Sequence, residues 1–123
     1  MQRKLLGTLL FVALATNAAA ESPEPVLALN GLDPIALIDG KEVPGRETIE
    51  ITHGLFRYQF ANAENKATFA AKPDDHGIQF GGGCGKMGPF SGNGNPNRFC
   101  VHDRRIYVFA SESCRDGFKR DPV

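Results

Sequence analysis

Apolar and polar residues alternate in two separate parts of the chain, and each part contains two short runs with the period of a β-strand. The runs are 49–52 and 55–60 in the first part and 99–102 and 106–109 in the second. Turn residues separate the runs of each pair, His53-Gly54 in the first and Asp103-Arg104 in the second. The pattern therefore predicts two β-hairpins.

A short helix is predicted after each hairpin. Asn62 and Ser111 stand where a side-chain oxygen can accept the first free backbone N–H groups of a helix. Pro73 and Pro122 cannot continue a helix and mark its end. Phe69 and Phe118 come late in the two helices, and we expect both rings to pack back onto the sheets.

The two hairpin–helix segments are copies of one pattern. Between residues 49–73 and 98–122, residues 49 apart are identical at six places, and Lys66 coincides with Arg115. The identical pairs are His53/His102, Tyr58/Tyr107, Phe60/Phe109, Ala61/Ala110, Phe69/Phe118 and Pro73/Pro122. The sequence thus predicts a small α+β single domain, built from two similar β-hairpin–helix units joined by a Gly-rich loop.

Two segments have no clear period. The apolar run 35–38 predicts either a strand or a helical turn, because it is too short to distinguish them. The stretch 77–97 is rich in glycine and is therefore predicted to be a loop, of the length that is usually functional or mobile.

The N-terminus has the order of a secretory signal. Arg3 and Lys4 precede an apolar run, and Ala18-Ala19-Ala20 supplies the small residues of a cleavage site. We expect residues 1–20 to be a signal peptide, 21–30 a flexible lead-in and 31–123 the domain. The predicted location is periplasmic or secreted, with no membrane attachment after cleavage.

The charge balance of the chain argues against one class of partner. The chain has 14 basic and 14 acidic residues and no formal net charge. It lacks the basic excess that is typical of nucleic-acid-binding proteins, so a nucleic-acid partner is not expected.

Sulfur supplies the candidate chemistry. Cys84 and Met87 are close in the Gly-rich loop, and their soft sulfurs suit copper(I). Cys114 falls in the first turn of the second helix, where free amides favour a thiolate. The 49-residue offset aligns Cys84 with Ile35 and Cys114 with Asn65, so the sulfur atoms belong to the second unit alone. A metal site and a Cys84–Cys114 disulfide both remain open.

Two further residues could complete a ligand set. Cys100 and His102 are two apart on a predicted strand and project from the same face. Cys100 aligns with Ile51, which favours a small buried apolar role. His102 aligns with His53, which has no sulfur neighbours, and this favours a structural role shared by both histidines.

Four segments together resemble the YHS-domain family, and in particular its small exported branch, which includes selenoproteins. They are Gly31-Leu32-Asp33-Pro34-Ile35-Ala36, residues 58–65, Gly82-Gly83-Cys84 and residues 106–114. The resemblance implies an α+β domain similar to modules of copper-transporting ATPases. Cys84 and Met87 resemble the family's Cys-Gly-Met element with one residue more, and Cys114 matches the last Cys of its Phe-Cys-Ser-x-x-Cys.

The leading hypothesis from the sequence is an exported, non-enzymatic domain that binds a soft metal ion, copper(I) rather than zinc. Its expected ligands are Cys84, Met87 and Cys114, with His102 or Cys100 as a fourth. The first alternative is a disulfide-stabilised structural or protein-interaction module without metal, and the second is a thiol redox protein. A protein partner is expected in addition to the metal ion.

Overall fold

The computed structural model describes residues 24–89 and 92–122. The predicted signal peptide lies outside the described residues. The strands are β1 Val26–Leu27, β2 Arg46–His53, β3 Phe56–Phe60, β4 Asn95–His102 and β5 Arg105–Phe109, and the helices are α1 Pro34–Ile38, α2 Ala63–Ala71, α3 Pro73–His76 and α4 Glu112–Arg120. The predicted α+β domain of two hairpin–helix units is confirmed.

The sheets are two antiparallel hairpins. β2 and β3 form the first, and β1 adds to it by pairing in parallel with β3. β4 and β5 form the second. Its turn places Asp103 and Arg104 at φ 51° and 62°, the left-handed conformations that match the twist of a tight hairpin.

The helices begin where the sequence indicates. The Asn62 side chain accepts a hydrogen bond from the Asn65 N–H at 2.7 Å, and the Ser111 hydroxyl accepts one from the Cys114 N–H at 3.1 Å. Each cap satisfies a backbone donor that the helix itself leaves free. The undecided run 35–38 lies in helix α1, which Asp33 caps and Pro34 begins.

Each long helix packs one phenylalanine onto its own hairpin. The Phe69 ring is wholly buried, and its centroid lies 4.8 Å from that of Tyr58 and 5.3 Å from that of Phe60. Phe118 repeats this arrangement in the second unit, at 4.9 Å from Tyr107 and 5.1 Å from Phe109. Such tilted aromatic pairs add to the free energy of simple area burial.

The ordered domain includes residues that the sequence analysis assigns to the lead-in. Val26 and Leu27 form β1, and Ala28 and Leu29 are wholly buried in the main core. The main core spans both units, because Ile106 and Val108 of β5 pack in it beside Phe60.

A buried carboxylate joins the elements of the first unit. Asp33 is wholly buried. Its Oδ1 accepts the N–H groups of Ile35 at 2.8 Å and Ala36 at 3.2 Å, and its Oδ2 accepts the Ala61 N–H and the Asn65 Nδ2 at 2.8 Å each. We call these four donors the Asp33 cradle. They connect the start of α1, the end of β3 and helix α2.

We expect Asp33→Asn to lower the free energy of unfolding by roughly 2–4 kcal/mol, because an amide would point an N–H group at buried donors. Chemical denaturation measures this change. Asp39→Asn is the matched control, since the Asp39–Arg104 pair is exposed and such pairs contribute about 0–1 kcal/mol. Equal losses in the two variants would contradict a connecting role for Asp33.

A second buried polar group fixes the chain after α3. The Tyr58 hydroxyl accepts the Ile78 N–H at 2.9 Å, and the side chain is 1% exposed. Burial raises the pKa of Tyr58 to about 12, although the hydrogen bond from Ile78 acts in the opposite direction.

A Tyr107→Phe variant leaves Tyr58 as the sole tyrosine. We expect its phenol to ionise near pH 12 instead of the usual value of about 10. The folded chain then holds this proton more tightly than the unfolded chain, so stability from this group is complete below about pH 10 and is lost as the pH rises towards 12. Tyrosinate absorbance measures the midpoint, and a midpoint near 10 in the folded protein would contradict the burial argument.

Candidate functional site

The Gly-rich loop is an ordered part of the second sheet where the structure describes it. Ile78 and Cys84 form parallel bridges to Ile106 and Val108 of β5, and the Gly85 N–H donates to the Val108 carbonyl at 2.7 Å. A side chain at Gly85 would lie 3.0 Å from Phe109, so glycine lets the loop approach β5 this closely. The loop therefore fixes Cys84 against the last hairpin.

The loop repeats the start of the first unit at an offset of 51, not 49. Leu32 bridges Pro44 and Gly83 bridges Asn93. Gly45 donates to the Gly31 carbonyl at 2.8 Å, as Gly94 donates to the Gly82 carbonyl at 2.7 Å. Equivalent residues are thus 51 positions apart at the start of each unit and 49 positions apart from residue 43 onward.

The structural counterpart of Cys84 is therefore Asp33, and the sequence alignment with Ile35 is wrong by two residues. The backbone N–H groups of Lys86, Met87 and Ala110 and the side chain of Cys114 are the hydrogen-bond donors that lower the pKa of the Cys84 thiol. These four donors, which we call the Cys84 cradle, occupy the places of Ile35, Ala36, Ala61 and Asn65 in the Asp33 cradle. The alignment of Cys114 with Asn65 is confirmed.

The cradle favours a negative sulfur. Burial acts to raise the pKa of the Cys84 thiol, but the hydrogen bonds from Ala110, Met87, Lys86 and Cys114 outweigh it, and the pKa lies below its ordinary value. Cys84 is 1% exposed and packs with Phe109 and Phe118. A buried sulfur thus occupies the position where the first unit holds a carboxylate.

Cys114 is the partner of Cys84. It lies in the first turn of α4, as predicted, and is partly exposed. Its side chain packs against the apolar cluster that contains Cys84, and all three cysteines, each within the described residues, are free. The structure therefore brings two of the five predicted ligands close together in the reduced state.

The other three predicted ligands stand apart from this pair. The Met87 side chain is 59% exposed, although its backbone N–H belongs to the Cys84 cradle. Cys100 packs against the same apolar cluster as a half-buried side chain, and its thiol donates to the Val101 carbonyl with an Sγ–O distance of 3.7 Å. Burial raises the pKa of Cys100, against the opposing charges of Lys119 and Arg115.

His102 and His53 occupy equivalent positions in the two units. The His102 ring lies edge-on to Phe118 with centroids 5.7 Å apart, as the His53 ring lies on Phe69 at 6.3 Å. Within residues 24–89 and 92–122, no group of three or more His, Cys, Asp and Glu side chains is arranged to hold a metal ion.

Comparison of the chain with protein-family models, with curated proteins and with solved structures gives no match. In the part of the chain that the structure describes, no helix has the length and apolar character needed to span a bilayer.

The two pKa directions predict different titrations for two single-thiol variants. In Cys100→Ser/Cys114→Ser the remaining Cys84 should ionise below the ordinary thiol value of about 8.5. In Cys84→Ser/Cys114→Ser the remaining Cys100 should ionise above it. Thiolate absorbance in the ultraviolet measures both midpoints, and the reverse order would contradict the cradle. Stability that Cys84 contributes through this shift increases with pH and is lost as the pH falls through its folded-state pKa.

Proposed function

We propose that the protein binds copper(I) between the sulfur atoms of Cys84 and Cys114. The observation that supports this most directly is the proximity of the two thiols: Cys114 packs against the cluster that contains Cys84, and the two residues occupy the places of the hydrogen-bonded Asn65 and Asp33. Thiolates are soft ligands and suit copper(I). Backbone N–H groups directed at a sulfur also stabilise the deprotonated form that binds a metal.

The donor set favours copper(I) over zinc. A structural zinc ion takes four protein ligands, usually Cys and His. The described residues offer two thiols close together and no third His, Cys, Asp or Glu grouped with them. Copper(I) accepts two thiolates as a sufficient ligand set, and the thioether of Met87 is close enough in sequence to approach as a further ligand from the solvent side.

Export and membership of the YHS-domain family are part of the same proposal. The residues that resemble the family include both cradles, from Asp33 in the first unit and from Cys84 in the second. An exported copper(I) site would bind or deliver the ion outside the cytoplasm, and a protein that receives the ion is the partner class that this role requires.

Copper(I) titration of the reduced protein in the absence of oxygen, in competition with a chromophoric chelator, tests the proposal. We expect a single tightly bound ion per chain. Cys84→Asp/Cys114→Asn is the matched variant, because it reproduces the Asp33–Asn65 pair of the first unit and should fold while losing both sulfurs. Undiminished copper binding in that variant would refute the site.

Two further measurements define the ligand set. Met87→Leu should weaken binding by less than about tenfold, or 1.4 kcal/mol, because the Met87 side chain is mainly exposed. Cys100→Ser should bind as the parent protein does. Zinc in place of copper(I) should bind far more weakly, and a zinc affinity equal to that of copper(I) would contradict the two-thiolate site.

A disulfide-stabilised module without metal is the second candidate, and the same proximity of Cys84 and Cys114 favours it. Mass spectrometry of the protein as isolated from its native compartment distinguishes the candidates. A stable disulfide lowers the mass by two hydrogens and leaves one cysteine free for alkylation.

A further inference from the structure

We propose that Cys114 and Cys84 also carry out reversible thiol–disulfide exchange with low-molecular-weight disulfides, with Cys114 as the entering thiol and Cys84 as the resolving thiol. This activity needs no metal. It uses the same two side chains as the proposed copper site, but it would stand if that site were disproved.

The difference in exposure between the two thiols assigns their order. Cys84 is 1% exposed and lies beneath the Gly-rich loop against β5. Cys114 is partly exposed on the first turn of α4. An incoming disulfide can therefore reach the Cys114 sulfur but not the Cys84 sulfur.

The proximity of the two thiols supplies the second step. Cys114 packs against the cluster that contains Cys84, and the two side chains occupy the places of Asn65 and Asp33, which hydrogen-bond to each other at 2.8 Å. Once Cys114 carries a mixed disulfide, the Cys84 sulfur is therefore near the Cys114 sulfur that it must attack.

The exchange balances as follows. The Cys114 thiolate attacks a disulfide R–S–S–R, forming Cys114–S–S–R and releasing one R–S⁻. The Cys84 thiolate then attacks the Cys114 sulfur, forming the Cys84–Cys114 disulfide and releasing the second R–S⁻. The two protons of the protein thiols pass to the two leaving thiolates. The small disulfide is reduced to two thiols, and the protein dithiol is oxidised.

Oxidation would also regulate the metal site, a consequence that rests on the proposed function. The disulfide removes both thiolates at once, so a copper(I) ion held between them would be released. Reduction by a small thiol would restore the site.

The test uses metal-free reduced protein in the presence of a chelator. The protein is equilibrated with mixtures of reduced and oxidised glutathione, and an alkylating reagent then stops the exchange. Mass spectrometry identifies the disulfides and the alkylated cysteines. We expect a Cys84–Cys114 link and an alkylated Cys100. Cys84→Ser should accumulate glutathione on Cys114, since the resolving thiol is gone. Cys114→Ser should react at least about tenfold more slowly, because Cys84 is buried. Cys100→Ser is the control and should behave as the parent.

Two results would overturn the proposal. One is the absence of a Cys84–Cys114 link in folded protein at any glutathione ratio. The other is modification of Cys84 in Cys114→Ser as fast as that of Cys114 in Cys84→Ser. Loss of copper binding with intact exchange would disprove the copper site alone, whereas copper binding without exchange would disprove this inference alone.

Discussion

The structure depends on one repeated constraint: a buried acceptor atom must receive hydrogen-bond donors from three separate elements. In the first unit this acceptor is the Asp33 carboxylate, which joins α1, the end of β3 and α2. In the second unit it is the Cys84 sulfur, which joins the Gly-rich loop, the end of β5 and α4. Backbone donors left without such an acceptor would carry the cost of burial without a hydrogen bond.

The second unit differs chemically from the first because a cysteine, and not an aspartate, occupies this constrained position. A carboxylate paired with an amide, as in Asp33 and Asn65, satisfies its donors and has no reactive partner. Two thiols in the same places, Cys84 and Cys114, satisfy the same geometry less strongly but can bind a soft ion or form a bond with each other. One scaffold therefore serves as a structural connection in one copy and as a candidate site in the other.

Most of the fold follows from local signals in the sequence. The caps Asn62 and Ser111 and the turn at Asp103-Arg104 are each determined by neighbours within a few residues, and the rings of Phe69 and Phe118 pack on the hairpin that directly precedes each helix. The first predicted strand of each hairpin begins later than the observed one, since β2 starts at Arg46 and β4 at Asn95. The ends of a strand depend on its pairing partners, so the alternation of hydrophobic residues along the strand does not predict where it begins.

The site was less predictable from the sequence. The spacing between equivalent residues of the two units changes before the first hairpin, and the identical aromatic residues do not reveal that change. The aromatic matches all lie after the change, so they extrapolate to Ile35, whereas hydrogen bonding pairs Cys84 with Asp33. The match of Gly31 with Gly82 was the available signal. Met87 illustrates a different limit: spacing places its backbone beside Cys84, but only the fold shows that its side chain faces solvent.

The weaker acceptor in the second unit has a physical consequence for reactivity. A sulfur atom accepts N–H groups less strongly than a carboxylate oxygen, so the Gly-rich loop depends more on close packing against β5 than on the cradle. Gly85 permits that packing, since an added side chain would lie 3.0 Å from Phe109 of β5, and Gly82 permits an equally close approach to β3, where an added side chain would lie 2.8 Å from Phe56. Glycine packing thus holds the Cys84 sulfur in place while leaving its electrons available, which is the combination that a metal site or an exchanging thiol requires.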